Sequence, residues 1–300
     1  MAKKNALNKE TKQKLRLELF DYVVLVVMTI YVLIIFYPFY NTVIASFVGS
    51  KTYSLNPAML FPPELIFDNY KKIFLDSNII SGYINTLLLC FLGVPLSMFF
   101  TVTMAYAFSR GNFPGKKFLF ILAIFTMFFS GGVVPIYMNI KNLNLMGSIL
   151  PVMLMYGINT YFMIIIKNSF ENLPGSLEEA AKIDGANDLI ILVKVMMPLI
   201  VPTLVTFALF ITVDRWNEWF WSTLLIKDNL KQPLQVVLRK IISQSSSSAK
   251  NLGFAYQSAN VYADGIKMAS VVVTMLPVML VYPFIQKYFV KGITLGAVKM

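Results

Sequence analysis

The 300-residue chain is 57% hydrophobic and has a formal net charge of +11, from 26 Lys and Arg residues against 15 Asp and Glu. In a soluble protein this basic balance would indicate nucleic acid, but the apolar content and the long uncharged runs argue against a nucleic-acid partner. With no histidine and a single cysteine, Cys90, the chain lacks the commonest general base, the commonest metal ligand and any disulfide framework. We therefore expect no catalytic residue, metal site or cofactor in the chain itself.

Six apolar runs without Asp, Glu, Lys or Arg divide the sequence. Four of them exceed the roughly 20 residues that a transmembrane helix needs, and the last two come close to that length. The predicted fold is therefore an all-α integral membrane protein with six transmembrane helices. In chain order, the runs are residues 22–50, 77–109, 118–140, 142–166, 195–213 and 268–286.

The N-terminal segment is predicted to be a retained tail rather than a signal peptide. Its lysines precede an apolar run that is longer than a signal h-region, and no A-x-A cleavage site follows. The predicted organisation is a cytoplasmic basic tail at residues 1–18, a six-span transmembrane domain at 19–290 and a cytoplasmic tail at 291–300.

The distribution of Lys and Arg predicts that both termini are cytoplasmic. Six of these residues precede the first run, and three lie in each of the second-to-third loop, the fourth-to-fifth loop and the C-terminal end. The opposite side carries fewer, mostly in one long loop that weighs little in the positive-inside rule. We expect a multi-pass protein of a bacterial cytoplasmic membrane, in contact with membrane lipid.

Two segments break the regular pattern of apolar runs. SGGVVP, at residues 130–135, lies inside the third run and predicts a kink, a close helix contact or, as the favoured reading, the end of the span. The long external segment 227–267 contains SQSSSSAKN, a serine tract that we expect to be mobile.

A short charged segment, SLEEAAKIDGAND at residues 176–188, separates the fourth and fifth runs on the predicted cytoplasmic side. Ser176 with Glu179 three residues later fits a capping box, which predicts a helix from Leu177 with acidic residues in its first turn. Gly185 stands where a helix C-cap glycine belongs, and a second helix is expected to start at Ala186 or one residue later. Taken alone, this pattern also fits a plain amphipathic linker.

The same segment resembles the cytoplasmic EAA loop of the permeases of ATP-binding-cassette (ABC) importers. Glu179-Ala180-Ala181 is followed by Gly185 and then by Val195-Met196-Met197-Pro198, where the family has I-x-L-P. The resemblance extends from the first run to the C-terminal tail through GGVVPIYMNIKNLNLMGSILPVM, RWNEWFWSTLLIKDNLKQPLQVVLRKII and IKMASVVVTMLPVMLVYPFIQKYFVKGITLGAVKM. In these segments the chain looks like the MalG-like second permease of carbohydrate importers, and most like the lipoprotein-type and YtcP-type subgroup.

This resemblance implies a type I ABC importer permease with the MetI-like fold. In that family two different permeases form a heterodimer on two ABC ATPase subunits, which bind ATP and Mg²⁺, and an extracellular solute-binding protein delivers an oligosaccharide. The EAA loop, residues 171–198 here, passes the motion of the ATPase to the spanning helices. The residues implied to couple to the ATPase are Glu178, Glu179, Ala180, Ala181, Asp184, Gly185 and Ala186.

The segment VDRWNEWFWS, residues 213–222, holds the only concentrated charge near a predicted span. Its spacing makes a local ion pair between Arg215 and Glu218 geometrically easy. An aromatic belt with snorkelling charges and a sugar-facing surface of the translocation pathway both fit this composition. The candidate pathway residues are Asp214, Arg215, Trp216, Asn217, Glu218 and Trp219, together with Asn85 and Asn159, for which a helix–helix hydrogen bond is the alternative role.

Three other functions remain open on the residues. An intramembrane enzyme would have to rely on Asp214 and Glu218, the only carboxylate pair near a span. A stand-alone secondary transporter would be driven by an ion gradient without an ATPase. An ABC permease for a non-sugar solute would share the coupling loop but not the substrate.

Overall fold

A computed structural model describes residues 19–110, 112–247 and 263–297 of the chain, and within these ranges it contains helices but no strand. The basic tail predicted at residues 1–18 lies outside them, as do residues 248–251 of the serine tract. The helices are α1 (Leu19–Ser46), α2 (Ser50–Leu55), α3 (Asp68–Leu75), α4 (Ser77–Arg110), α5 (Lys116–Phe128), α6 (Val133–Asn142), α7 (Leu150–Met155), α8 (Thr160–Glu171), α9 (Ser176–Ile183), α10 (Asp188–Leu199), α11 (Val201–Trp216), α12 (Phe220–Leu225), α13 (Leu234–Ser247) and α14 (Ala263–Ala297), with a 3₁₀ turn at Asn229–Lys231.

Two single helices in the described ranges are long and apolar enough to cross a membrane. They are α1, with 28 residues, and α4, with 34 residues. The most apolar stretch of α1 has none of its residues buried, whereas a third of the corresponding stretch of α4 is buried inside the protein. The helix α4 is therefore the central element, and α1 lies at the periphery against α14.

The third and fifth apolar runs are each broken into two helices. The break in the third run lies where a kink or the end of the span was predicted, whereas the break in the fifth run corrects the expectation of one continuous span. The helices α5 and α6 meet at 116°, and α10 and α11 meet at 89°. Counting each bent pair as one span raises the number of candidate spans from two to four. The first break lies at SGGVVP, where Gly132 has φ of +87°, a conformation that side-chain-bearing residues rarely adopt.

The fourth apolar run is also interrupted, because α7 ends at Met155 and α8 begins only at Thr160. At the C-terminal end, α14 continues to Ala297 and includes most of the segment that was predicted to be a tail. The serine tract begins inside α13, which is helical to Ser247.

Small residues allow the other helices to approach α4 closely. Buried small side chains recur every three or four residues along one face of α4, a pattern typical of packed membrane helices. A Cβ added at Gly82 would lie 3.1 Å from the Cα atom of Leu234, so α13 packs directly on the α4 backbone. The members of this face are Gly82, Thr86, Leu89, Gly93, Ser97, Thr101 and Ala105.

The hydroxyl groups on this face hold neighbouring segments to α4. The Leu234 amide donates to Thr86 Oγ1 over 2.9 Å, and Ser97 donates to the carbonyl oxygen of Tyr156 over 3.0 Å. The first bond satisfies a backbone amide that would otherwise be buried without a partner. These bonds also fix the approach of α13 and of the segment between α7 and α8.

Candidate functional site

The segment at residues 171–198 forms a helix, a glycine turn and a second helix, as predicted. The capping box, however, is not formed. The N-cap of α9 is Gly175 and has no side-chain cap, and the helix begins at Ser176. Among the described residues the Glu179 carboxylate has no hydrogen-bond or ion-pair partner, and the side chain is exposed. Because its carboxylate is not used as a cap, it is available to a partner.

The C-terminal end of α9 is a Schellman motif. The Ala186 amide donates to the Ala181 carbonyl oxygen, and the Gly185 amide donates to that of Lys182, both over 3.0 Å. Gly185 has φ of +80°, which this motif requires and which glycine adopts without steric cost. The predicted C-cap role of Gly185 is therefore confirmed.

The second helix, α10, starts at Asp188, one residue after its cap. Asn187 accepts a hydrogen bond from the Ile190 amide over 2.9 Å through Oδ1, which makes Asn187 the N-cap. The middle of α10, Ile191–Met196, is π-helical. The two helices are thus joined by two capping interactions with only a short turn between them, so the loop has a defined shape.

The two alanines of the EAA motif point in different directions, although both were implied to couple to the ATPase. Ala181 and Ala186 pack against the core cluster that contains Phe170 and Ile191, whereas Ala180 is exposed. The outer face also carries large apolar side chains that the sequence analysis did not select. Ile183 is 86% exposed. An apolar residue between the charged Lys182 and Asp184 was the sequence feature that could have indicated an exposed apolar contact at Ile183.

The two glutamates of the motif also differ. The Glu178 side chain is only 12% exposed and lies 2.8 Å from Lys182 Nζ and 3.8 Å from Arg110 Nε. This hydrogen bond from Lys182 to Glu178 raises the pKa of the Lys182 ammonium above its ordinary value. Glu178 therefore binds within the chain, and Glu179 faces outward.

Arg110 contacts this loop from α4 and was not among the residues predicted from the sequence. It ends α4, and its Nη2 donates to the carbonyl oxygens of Phe170 and Leu173 over 2.8 and 2.5 Å. The only sequence signal was its position as the first charge after the second apolar run, which otherwise indicates only a membrane boundary.

The predicted ion pair between Arg215 and Glu218 is not formed among the described residues, because α11 ends at Trp216 and the chain turns. Glu218 is 6% exposed and caps α12 instead. Its Oε1 accepts from the amides of Trp221 and Ser222 over 2.8 and 3.1 Å. Its other oxygen accepts from the Tyr156 hydroxyl over 2.7 Å.

Arg215 is 4% exposed and lies over the ring of Tyr156, with its guanidinium carbon 3.9 Å from the ring centre. Nη2 donates to the Tyr156 carbonyl oxygen over 3.4 Å, while Nε and Nη1 are buried without a hydrogen-bond partner. Gly93 of α4 leaves room for its side chain, since a Cβ there would lie 3.8 Å from Arg215 Cδ.

The other candidates of this segment lie on different surfaces. Trp216 is buried and packs edge-on against Tyr83 at 6.3 Å between ring centres. Asp214, Asn217 and Trp219 are exposed. Of the six candidates from residue 214 to residue 219, these three are the ones that a solute can reach directly in this conformation.

A basic side chain accompanies the exposed Trp219. The Arg239 guanidinium carbon lies 3.3 Å from the centre of the Trp219 ring, and Arg239 is also exposed. Asn217 Oδ1 accepts from Gln235 over 3.4 Å beside it. The start of α13 and the end of α11 thus form one polar and aromatic surface.

The two candidate asparagines bind other parts of the chain, in line with the alternative to a pathway role. Asn85 joins α4 to the 3₁₀ turn, and the Asn159 amide donates to Thr101 Oγ1 of α4 over 3.4 Å. Asn85 Nδ2 donates to the carbonyl oxygens of Leu230 and Gln232 over 2.8 and 3.2 Å, which holds the loop before α13 against α4. Asn159 is the N-cap of α8 and accepts from the Phe162 amide over 3.1 Å.

The comparison with protein families decides between the open functions. A family model described as "Binding-protein-dependent transport system inner membrane component" matches residues 73–295. The chain belongs to this family. It is therefore an inner-membrane transport component with the ABC permease fold, and not an enzyme, as expected from the EAA loop. The match covers the chain from α3 almost to the end of α14 and includes the whole coupling loop.

Several relatives of the chain are named as permeases of saccharide transport systems. The chain is 38% identical over 281 residues to the polygalacturonan/rhamnogalacturonan transport system permease protein YtcP of Bacillus subtilis, covering 94% of this chain and 98% of YtcP. It is 28% identical to the maltodextrin transport system permease protein MalD of Streptococcus pneumoniae, over 98% of this chain and all of MalD.

Solved structures show the same fold. A chain of a bacterial ABC transporter involved in the import of the acidic polysaccharide alginate matches with a TM-score of 0.85 and 32% identity, over 90% of this chain and 96% of that one. A chain of the alginate ABC transporter in complex with its pentasaccharide-bound periplasmic protein matches with a TM-score of 0.55 and 16% identity, over 88% and 91%. The second likeness concerns the fold alone.

Proposed function

We propose that this chain is the permease subunit of an ATP-driven importer that forms half of a translocation pathway for oligosaccharides. The observation that carries the proposal is the family match over residues 73–295, together with 38% identity to YtcP over nearly the whole of both chains. The folded coupling loop supports it, because a permease needs a rigid part that an ATPase can move.

The partners we propose are a second, non-identical permease, two ABC ATPase subunits and an extracellular solute-binding protein. ATP and Mg²⁺ bind to the ATPase subunits, and this chain supplies no cofactor site. Broad apolar surfaces on α1, α4 and α5 would contact lipid and the second permease. Within the described residues, no group of three or more His, Cys, Asp or Glu side chains offers a metal site.

We propose six crossings of the membrane with both termini cytoplasmic. The first and second crossings are α1 and α4. The third and fifth are the bent pairs α5–α6 and α10–α11. The fourth is α7 together with α8, and the sixth is α14. The Lys and Arg distribution supports this orientation, since Arg110 and the coupling loop would then lie on the same cytoplasmic side.

The outer face of the coupling loop is proposed to enter the ATPase. Glu179, Ala180, Ile183, Asp184 and Gly185 are all exposed there. An exposed isoleucine beside unpaired acidic groups is unfavourable in water but suits a partly apolar groove with basic residues at its rim. Glu178, Ala181 and Ala186 hold the loop against the rest of the chain.

For the solute we propose an oligosaccharide that contains acidic sugars. The relatives named for polygalacturonan and for alginate support this class. The exposed surface of Asp214, Asn217, Trp219 and Arg239 fits it, because an aromatic ring and a guanidinium can bind the faces and carboxylates of such sugars.

The test is uptake by the complete importer in proteoliposomes. Purification of this chain in mild detergent should retain an ABC ATPase and a second permease. ATP should then drive uptake of uronic-acid oligosaccharides in preference to neutral oligosaccharides of equal length. Uptake that follows an ion gradient without ATP, or purification without an ATPase, would overturn the importer function. Preference for a neutral sugar would overturn only the proposed class of solute.

A further inference from the structure

The guanidinium of Arg110 touches three consecutive parts of the chain beyond its own helix. Its Nη2 donates to the carbonyl oxygen of Phe170 near the end of α8 and to that of Leu173 in the following turn. Its Nε lies 3.8 Å from Glu178 Oε2 in α9. Gly175 adjoins it, since a Cβ there would lie 3.8 Å from Nη1. One side chain therefore connects α4 to the end of α8, to the turn before α9 and to α9 itself.

The two kinds of contact are unequal. The carbonyl bonds at 2.8 and 2.5 Å are fully made, whereas 3.8 Å between Nε and Oε2 is an ion pair that is too long for a hydrogen bond. Nε is buried and has no hydrogen-bond partner within the described ranges. The other Glu178 oxygen is held by Lys182 at 2.8 Å. A buried donor that faces a carboxylate across a short gap favours any movement that closes the gap.

The helix that Arg110 ends is the one most able to carry such a movement inward. The helix α4 packs against α8, α11 and α13, and its last turns lie in the core cluster through Ala105, Tyr106 and Phe108. The covalent route from α9 to the spanning helices runs instead through the loop before α9 and through α10, which is bent by 89° against α11.

We propose that Arg110 is a positioning residue that seats the coupling helix α9 on α4 and passes displacement of α9 to that spanning helix. The hydrogen bonds to Phe170 and Leu173 hold the Arg110 side chain in place. The distance between Nε and the Glu178 carboxylate shortens when α9 shifts toward α4. This inference rests on the proposed importer function, since it describes how a push on α9 reaches the pathway.

The test uses the complete importer in proteoliposomes and measures the ATP hydrolysed per oligosaccharide imported. Arg110→Ala should assemble and hydrolyse ATP. Each of the two carbonyl bonds that it removes should raise this ratio roughly two- to tenfold, the effect of one lost hydrogen bond on an equilibrium. Arg110→Lys should give an intermediate ratio, because an ammonium keeps the charge but not the planar fork. Glu178→Gln leaves the carbonyl bonds in place and should also raise the ratio.

Lys71→Gln is the control. It removes an exposed ion pair with Asp68 of 3.2 Å that lies within α3, outside the coupling loop, so the ratio should equal that of the unaltered importer. If the Arg110→Ala importer does not assemble, the ratio measured for Glu178→Gln tests the inference. An unchanged ratio in the assembled variants, with normal uptake by the unaltered importer, overturns this inference alone. If the unaltered importer shows no ATP-driven uptake, the proposed function fails, and this inference fails with it.

Discussion

Tyr156 donates its hydroxyl hydrogen to Glu218 Oε2 over 2.7 Å and joins the segment after α7 to the start of α12. The same carboxylate accepts the amides of Trp221 and Ser222, so a buried charge is fully satisfied by donors from two parts of the chain. A carboxylate with these bonds stabilises the turn between α11 and α12 and holds the exposed Trp219 beside it. Glu218 thus shapes the surface that we propose for the solute without contacting the solute.

Replacement of Glu218 by alanine should destabilise the protein. The change leaves the buried Ser222 amide and the partly buried Trp221 amide and Tyr156 hydroxyl without their acceptor, at a cost of up to about 1–3 kcal/mol for each unsatisfied group. We expect a lower midpoint of thermal unfolding when unfolding is monitored by tryptophan fluorescence in detergent. Asp214→Ala, at an exposed carboxylate on the same segment, is the control and should leave the midpoint nearly unchanged. Equal midpoints for the two variants would refute the capping role.

Substitutions at Gly185 should act through the backbone rather than through bulk. Nothing lies within 4 Å of a Cβ placed there, but φ is +80°. A side-chain-bearing residue in the left-handed region costs about 1–2 kcal/mol, and asparagine costs less than alanine. We expect Gly185→Ala and Gly185→Leu to insert normally and to lose ATPase binding to a similar extent, while Gly185→Asn retains more. Co-purification measures the loss.

The Gly185 series also tests the docking surface. If leucine is far more damaging than alanine, the added bulk meets the ATPase and the glycine lies inside the docked groove. If all three variants bind as the unaltered chain does, the shape of the turn does not matter for coupling.

Charge reversal at Glu179 should weaken the ATPase interaction without affecting the fold. Its side chain is exposed and has no partner within the described part of the chain, so Glu179→Lys should leave the unfolding midpoint unchanged. Binding of the ATPase should fall, and the difference from the unaltered chain should shrink as salt is raised. Glu64→Lys, also exposed but in the segment before α3, is the control. A lower midpoint in Glu179→Lys alone would indicate a structural role.

Two glycines of α4 should respond oppositely to alanine. At Gly82 the new Cβ would lie 3.1 Å from the Leu234 Cα and 3.3 Å from its nitrogen, and backbone cannot move aside as a side chain does. Gly82→Ala should therefore destabilise the packing of α13 by about 1–3 kcal/mol. At Gly93 the nearest atom is Met153 Cγ at 3.6 Å, an ordinary contact, so Gly93→Ala should be neutral or slightly stabilising. The thermal-unfolding midpoints of the two variants, compared with that of the unaltered chain, test this prediction.

The sequence by itself determined the class of protein and the local shape of the coupling loop. Uncharged runs of membrane length indicate a helical membrane protein without tertiary information, because a chain in lipid must satisfy its backbone hydrogen bonds internally. The Gly185 turn was also predictable, since a left-handed residue after a helix favours glycine whatever surrounds it. The spacing from Glu179 to Pro198 then supported the family that the comparisons show.

Only the tertiary structure decided which side chains face a partner and which face the chain. Adjacent residues such as Glu178 and Glu179 have the same local chemistry, but the fold turns one of them toward Arg110 at the end of α4 and leaves the other exposed. The predicted Arg215–Glu218 pair is absent from the described residues because α11 ends between the two residues and Glu218 finds amides and the distant Tyr156 hydroxyl. Such contacts join positions about sixty residues apart, and local spacing carries no information about them.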